Sequence, residues 1–497
     1  MLIKLIPATL VFLSGCKSDK ADGPGTQTAS STDPSIPPPS ADTVLQPSCA
    51  ANSTIPAVLA CTWTSDDSAT GFVEFWLEGM SAEVRTTPHG PQGTQHDVAV
   101  LGMKAGRTYE YRVVQTVGTS RIEGPLTTHV VPNVPANFPQ PELVSVDVAR
   151  SEVAGGYVLI AIAMMGAPPF TVVAILDGDG DYVWWTSSDT DGLTIGPRFS
   201  RDGRSIRYLQ SDMSWLEDIG TIVRVSLDGD EIEETRALLG HHQMWENADG
   251  SLSWLGFDYA TVDTVEWASD AIRTAPEGID DTYVPTEEFA WFDAYAVDPW
   301  EAKPGADLVH LGEGIEWTHS NSLMALDDAS FYVMAKNLDC LLKVDRATGG
   351  ITWQIGGMYG DFTYADGAPV WTSLSNALFS QSHMSHIWDG GMVVFDNGDF
   401  SNPKVSRAVE FAWDEANFTI EEVWHYDEPS GEHTGSMGDV RKLAGGNYLV
   451  AWSSLGYLSE VTSEGEIVWK LETNNVGILG RVTPLTDLYA PPSGALP

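Results

Sequence analysis

Three stretches of this 497-residue chain open on histidine in the same way: His242-Gln-Met-Trp-Glu-Asn-Ala-Asp-Gly, His319-Ser-Asn-Ser-Leu-Met-Ala-Leu-Asp-Asp and His383-Met-Ser-His-Ile-Trp-Asp-Gly-Gly. In each, an apolar run follows the histidine and an Asp or Gly turn arrives about seven or eight residues later, so a repeating unit carries one reactive side chain at one address. Imidazole suits such a place. Its ordinary pKa near 6.5 lets a neutral ring act as nucleophile or base while a protonated neighbour holds an anion. One histidine there would be explained by a hydrogen bond to the adjacent unit, whereas three at one register point to a converging site.

The elements that must position these rings are strands. From Glu142 onward there is no convincing amphipathic helix, and a Gly-x-x-x-Trp signature recurs at Gly180 to Trp184, Gly349 to Trp353 and Gly465 to Trp469. The separations match about three and two copies of a unit of roughly 56 to 58 residues, which is compatible with propeller blades. The pattern predicts an all-β fold, a six-bladed β-propeller over residues 142–485, with an open solenoid as the alternative. Each blade would hold a strand before an Asp/Gly turn and an outer hairpin ending at Trp, and unit three, around Trp254 to Trp300, would carry a long inserted loop. In a propeller the first strand of each blade runs beside the axis, so His242, His319 and His383, just upstream of those strands in blades three, four and five, converge at one mouth of the channel.

Residues 48–137 alternate in period two, as in Phe72, Glu74 and Trp76 against Val73, Phe75 and Leu77, and predict a small antiparallel β-sandwich. The stretch Leu101-Gly-Met-Lys-Ala-Gly-Arg-Thr-Tyr-Glu-Tyr-Arg-Val resembles the late strand of fibronectin type III domains, and the Pro-rich segment from Val131 to Pro141 closes this unit. Upstream, Lys4, the apolar run Leu5 to Leu13 and Leu13-Ser14-Gly15-Cys16 resemble a bacterial lipoprotein signal, in which Cys16 becomes the lipidated first residue. The run is too short to span a bilayer comfortably, though a short transmembrane anchor is the competing reading. Residues 17–47 are rich in Ser, Thr, Pro, Asp and Gly and read as a flexible tether, so the body stands off a membrane, periplasmic or at the cell surface. Export favours a disulfide between Cys49 and Cys61, and Cys340, in an apolar run, reads as a buried small hydrophobe.

With 69 acidic against 26 basic residues the net charge is -43, which repels nucleic acid and anionic membrane surfaces and otherwise keeps an exported protein soluble. An anionic small ligand would need a local cluster of His or Arg to hold it. No Cys spacing suits a metal, Gly-x-Ser-x-Gly and phosphate-binding Gly-rich motifs are absent, and Asp177-Gly-Asp-Gly-Asp-Tyr departs from a calcium loop at Tyr182, where Gly is required. It reads as a blade turn.

The blocks Glu316-Trp-Thr-His-Ser-Asn-Ser-Leu, Lys343-Val-Asp-Arg-Ala-Thr-Gly-Gly-Ile-Thr-Trp-Gln-Ile-Gly-Gly, Phe379-Ser-Gln-Ser-His, Phe395-Asp-Asn-Gly-Asp, Ser406-Arg-Ala-Val-Glu and Gly435-Ser-Met-Gly-Asp, over residues 230–475, resemble those of the bacterial arylsulfotransferases. The resemblance implies a six-bladed propeller that moves a sulfuryl group from a phenolic sulfate ester to another phenol through a transiently sulfurylated histidine, with no nucleotide donor and no cofactor. Its small-molecule partners are then an aryl sulfate and a phenolic acceptor. His319 and His383 match the family's active-site histidines, and His433, in Gly431-Glu-His-Thr-Gly, is a candidate for a last-blade histidine. His383 or His433 would attack sulfur. Of the family's arginines, Arg407 follows the Phe-Asp-Asn-Gly-Asp block late, and Lys336 of Ala335-Lys336-Asn337 stands where relatives often show Ser-x-Arg, as a point charge instead of a fork. His242 joins as a substrate-binding residue, and Trp317, Phe379 and Trp388 could sandwich an aryl ring, or else pack between blades. A different class of function remains: Asp345-Arg-Ala-Thr-Gly-Gly-Ile-Thr-Trp is also like the tryptophan-docking repeat of quinoprotein-like propellers, many of them non-catalytic scaffolds that bind carbohydrate or protein.

Overall fold

The computed structural model describes residues 45–164, 170–187, 192–212, 220–294, 310–311, 314–473 and 477–490. The segments expected to form a lipoprotein signal ending at Cys16 and, up to residue 44, a tether lie outside the described residues, as does 295–309 within the insertion expected in unit three.

Runs such as Tyr157–Met164, Phe170–Asp177 and Ser330–Ala335 are apolar, β-branched and aromatic almost without interruption, and nearly every residue in them is buried. A strand of that kind needs cover on both faces, which blades supply by stacking face to face. Six sheets satisfy the need, antiparallel except where Val265–Ala275 pairs in parallel with Gly314–Glu316 in blade three. Named from the axis outward, blade one is Gly477–Leu485, Tyr157–Met164, Phe170–Asp177 and Tyr182–Ser187. Blade two is Gly192–Phe199, Ser205–Asp212, Thr221–Ser226 and Ile232–Arg236. Blade three runs Gly240–Glu246, Leu252–Val262 and Val265–Ala275, with Thr286–Ala290 and Gly314–Glu316 both along its third strand.

Blade four is Ser320–Met324, Ser330–Ala335, Cys340–Asp345 and Gly350–Gly356. Blade five is His383–Trp388, Gly391–Asp396, Arg407–Asp414 and Thr419–Asp427. Blade six is Asp439–Lys442, Tyr448–Ala451, Tyr457–Val461 and Ile467–Glu472, with Glu142–Val146 as an extra outer strand.

Each inner strand touches the next, and that of blade six touches that of blade one, so the ring closes. Because the inner strand of blade one comes from the far end of the chain, closure is by strand pairing, and the open solenoid is excluded. The fold is a six-bladed propeller. The repeating tryptophans lie in outermost or near-outermost strands and fasten neighbours: the Trp184 indole donates to the Leu227 carbonyl of the next blade at 3.1 Å, and Trp469 in blade six donates to Gly178 beside blade one at 2.8 Å.

Residues 48–130 form seven antiparallel strands that share the long strand Leu59–Leu77, whose first part pairs with Ser48–Ala51 and Gly93–Val100 and whose second part pairs with Arg85–Thr86 and Thr108–Val117. Cys49 and Cys61 are disulfide-bonded across the first of these pairs, and Cys340 is a buried free thiol. The apolar core of this unit is continuous with that of blades one and six. Polar contacts fix it further, with Arg85 donating to the Tyr157 hydroxyl at 2.9 Å and the Leu101 amide to Tyr489 at 2.8 Å.

The Asp177-Gly-Asp-Gly-Asp turn is such a contact. Asp177, Asp179 and Asp181 converge, and the Lys104 ammonium sits among them at 2.7–2.9 Å, taking the place a cation would hold. Partial burial alone would lower the pKa of this lysine, but the three carboxylates outweigh it and push it up. Lys104→Ala is expected to cost about 1 to 2 kcal/mol in urea unfolding, the range for a partly exposed charged cluster. Three carboxylates left facing one another should also make the melting temperature of this variant, and not of the wild type, rise with added calcium.

Candidate active site

A propeller channel is lined by its inner strands, and here those strands are not regular. The inner strands of blades one to five each contain a register shift against their neighbour. Around these shifts sit non-glycine residues in the left-handed region: His242 at φ 53°, His319 at 51°, Met384 at 49°, and Met437 at 55° just before the inner strand of blade six. A bulge of this type re-aims side chains, and it turns the openings of blades three, four and five toward one point. The rings of His242 and His319 lie 4.9 Å apart between centroids, and those of His319 and His383 lie 6.3 Å apart. The sequence placed these three together, and the structure brings them into one arc.

Each ring has its own support. His383, 3% exposed, places Nδ1 2.7 Å from Asn397 Oδ1. The Asn397 amide nitrogen donates to the carbonyls of Thr434 and Met437 at 2.7 and 3.2 Å, so its orientation is fixed and its oxygen can only accept. His383 must therefore carry its proton on Nδ1, leaving a bare lone pair on Nε2. Burial, then the charges of Lys336 and His319, hold the pKa of His383 well below its ordinary value, against the smaller opposing pull of Asn397 and the Gln381 backbone. The ring is neutral at physiological pH.

His242 rests on His241, with 2.8 Å between the two Nδ1 atoms, and His241 stacks on Phe257 at 4.1 Å. His241 Nε2 in turn meets Asp270 Oδ1 at 3.0 Å. Burial would raise the pKa of Asp270, but hydrogen bonds from His241, Thr318 and the Ser320 amide bring it down to about 2. An ionised carboxylate only accepts, so His241 Nε2 is the donor and one proton lies between the two Nδ1 atoms. The pKa of His242 is pushed well below 6.5 by burial first and then by His319, His241 and His383, with Asp270 opposing. His319 has Glu316 Oε1 2.5 Å from its Nδ1, and its backbone carbonyl accepts from the Lys336 amide at 3.1 Å. The arc thus holds carboxylate-backed rings at one end and a neutral, Asn-oriented ring at the other.

The remaining expected residues fall elsewhere. Lys336 joins the site through its charge on His383. His433 lies in the loop before blade six with Nε2 2.5 Å from Asp399, and has a carboxylate partner instead of another histidine. Arg407 is not brought to the histidines, because its guanidinium is engaged by Asp396 at 2.9 Å, Glu422 at 3.0 Å and the Leu378 carbonyl at 3.0 Å. Trp317 and Phe379 are 1% exposed, packed on Trp291 and Phe292 and on Phe411 respectively, so neither offers a face to a ligand. Trp388, at the far end of the blade-five inner strand, lines a different cavity. Sequence reasoning missed Asn397, which sat inside the Phe-Asp-Asn-Gly-Asp block, and His241 and Asp270, for which only the doubled histidine was a signal.

Histidine-selective NMR is expected to show the His383 ring titrating well below pH 6.5. In Lys336→Gln its pKa should rise, since removing a nearby positive charge makes imidazolium easier to form.

A family model described as Arylsulfotransferase (ASST) matches residues 155–478. No curated protein matches. Among solved structures, a protein of unknown function from Bacteroides caccae is 12% identical, with a TM-score of 0.41, over 67% of this chain and 100% of its own. A virginiamycin B lyase from Staphylococcus aureus is 11% identical, with a TM-score of 0.32, over 81% of this chain and 99% of its own. No statement about function rests on likenesses so distant.

Proposed function

We propose that this chain, which belongs to the arylsulfotransferase family, transfers a sulfuryl group from an aryl sulfate to a phenol by way of sulfurylated His383. The observation that carries the proposal is the Asn397 contact, which places the proton of a neutral ring on Nδ1 and so the lone pair on Nε2. In the first displacement the His383 Nε2–S bond forms as the S–O bond to the aryl group breaks, and the electron pair leaves with the phenolate oxygen. Lys336 and the neighbouring His319, backed by Glu316, supply donors for the sulfuryl oxygens, and His319 gives a proton to the leaving oxygen. In the second, the acceptor phenol gives its proton to the histidine that protonated the leaving group, its oxygen attacks sulfur, and the N–S bond breaks to restore His383. The apolar group of Met384 and Met437 with Leu193 and Ile478, at the openings of blades five, six, two and one, suits the aryl body.

The same proposal places the enzyme at a membrane surface, exported and held by a lipid on Cys16, in keeping with its length of polar tether. Cys16→Ser is expected to move the protein from the membrane to the soluble fraction; membrane recovery unchanged by that substitution would refute the anchor.

The transfer chemistry is tested with 4-nitrophenyl sulfate and phenol. Nitrophenolate release should require phenol, and alkaline quenching without acceptor should leave one SO3 increment on the peptide containing His383. His383→Ala should release nothing. Asn397→Leu, if it melts cooperatively, should lose about a hundredfold or more in kcat with little change in KM, as for a residue that fixes a tautomer. Absence of release across a panel of aryl sulfates would favour the binding scaffold.

A further inference from the structure

The opposite end of the channel is built from different residues. There the inner strands of blades one, two, three, five and six border a cavity of about 570 Å³, lined among others by Arg198 of blade two, His386 of blade five, Arg441 of blade six and Arg481 of blade one. Between the two ends lies a layer in which Gln243 bridges Arg198 and Met384, accepting from the guanidinium at 3.1 Å and donating to the sulfur at 3.0 Å. The cavity and the histidine arc are therefore separate compartments on one axis.

Among the described residues the charge there is not balanced. Arg441 is paired with Asp439 at 3.2 Å, and among the described residues Arg198 donates to neutral groups, Gln243 and the Leu323 carbonyl. Arg481 is 1% exposed, and its Nε and Nη2 have no hydrogen-bond partner among the described residues. The same is true of Arg198 Nε and of both ring nitrogens of His386. Burial, and then the mutual repulsion of these groups, destabilises the charged forms of Arg198, Arg481 and His386. The two wall carboxylates do not compensate, since Glu246 is held by Arg207 at 3.0 Å and Glu152 by the Gly445 and Asn447 amides. Guanidinium keeps its proton in proteins, and an unpaired buried charge is strongly unfavourable, so three converging arginines with one carboxylate partner among the described residues favour an anion. In a chain of net charge -43 this is a local reversal of sign.

The rest of the wall is apolar. Phe199, Trp245, Trp388, Leu443 and Leu485 line it, with Arg198 over the Trp245 ring at 4.6 Å and Lys442 over Trp388 at 5.5 Å. We infer that this cavity binds an aryl oxyanion, its sulfonate, sulfate or carboxylate head held by Arg198, Arg441, Arg481 and His386 and its ring packed beside Trp388. Binding here needs no chemistry at His383. Guanidinium forks match planar and tetrahedral oxyanions, and aromatic walls favour a ring over a bare ion.

The test uses the full chain and benzenesulfonate, which has no transferable sulfuryl group, with calorimetry and tryptophan fluorescence as readouts. One molecule is expected to bind, more tightly than inorganic sulfate, which should compete for the head-group position. Affinity should fall at least about tenfold in Arg481→Gln and in Arg198→Gln, the lower end for loss of a charge-assisted contact. It should be unchanged in the double variant His319→Ala, His383→Ala, a separation that holds whether or not the transfer reading is correct. Should Arg481→Gln fail to fold, Arg198→Gln decides. Three results would each overturn the inference: no binding to the wild type, binding no tighter than that of inorganic sulfate, or binding lost with the histidines and kept in both arginine variants.

Discussion

The backbone bulge at the channel wall is the constraint on which the site depends. Six inner strands must pass close to one axis, and a regular strand there would send alternate side chains into the neighbouring blades. Left-handed residues at His242, His319, Met384 and Met437 break that alternation where blades three to six open. A non-glycine residue held in this region costs on the order of 1 to 3 kcal/mol, so the surrounding packing must impose it. The imposition is visible: Asp270 binds the Ser320 amide and the Thr318 hydroxyl on either side of His319, and Asn397 ties the loop carrying Met437 to the ring of His383. The polar groups that support the imidazoles also hold the strained backbone that aims them.

Burial sets the charge of what lies inside. At one end it favours neutral imidazole, because desolvation and adjacent cations both oppose protonation of His383 and His242. Lys336 reinforces this at His383 through its charge. At the other end the side chains are arginines, which cannot lose the proton as histidine does, so the same desolvation leaves unpaired charge where the first end leaves a lone pair. One physical term thus yields two chemistries within a single channel.

How much was legible in the sequence follows from which features are local. The histidines stood at one spacing in three units, and each unit folds as a blade, so their convergence and the ring itself could be read from period and turn chemistry. The closing strand could not be read in detail, because the pairing of Gly477–Leu485 with Tyr157–Met164 joins the two ends of the propeller. Direction of side chains was the other loss. Trp317, Phe379 and Trp388 neighbour histidines in sequence, yet the first two enter the core and the third reaches the opposite end of its strand. His383 and His386 are three residues apart, with a register shift between them that sends them to different compartments. A displacement of one residue reverses the face of every side chain beyond it, and no spacing rule anticipates where a bulge falls. Arg407 illustrates a further limit: a guanidinium beside a functional block is as readily claimed by the nearest carboxylate, here Asp396, as by the site.

Asn397 shows why the finer chemistry emerges only from the assembled ring. Its side chain leaves blade five and donates to two carbonyls of the loop that leads into blade six, so the tautomer of His383 is decided by the joint between two blades. The Asp270 contacts do the same between blades three and four, where one carboxylate receives His241, Thr318 and the Ser320 amide. An isolated blade five would contain both His383 and Asn397 and lack the Thr434 and Met437 carbonyls that fix the amide. The geometry at the channel mouth is therefore a property of closure: the seam between adjacent blades supplies the hydrogen bonds that fix the rings' partners.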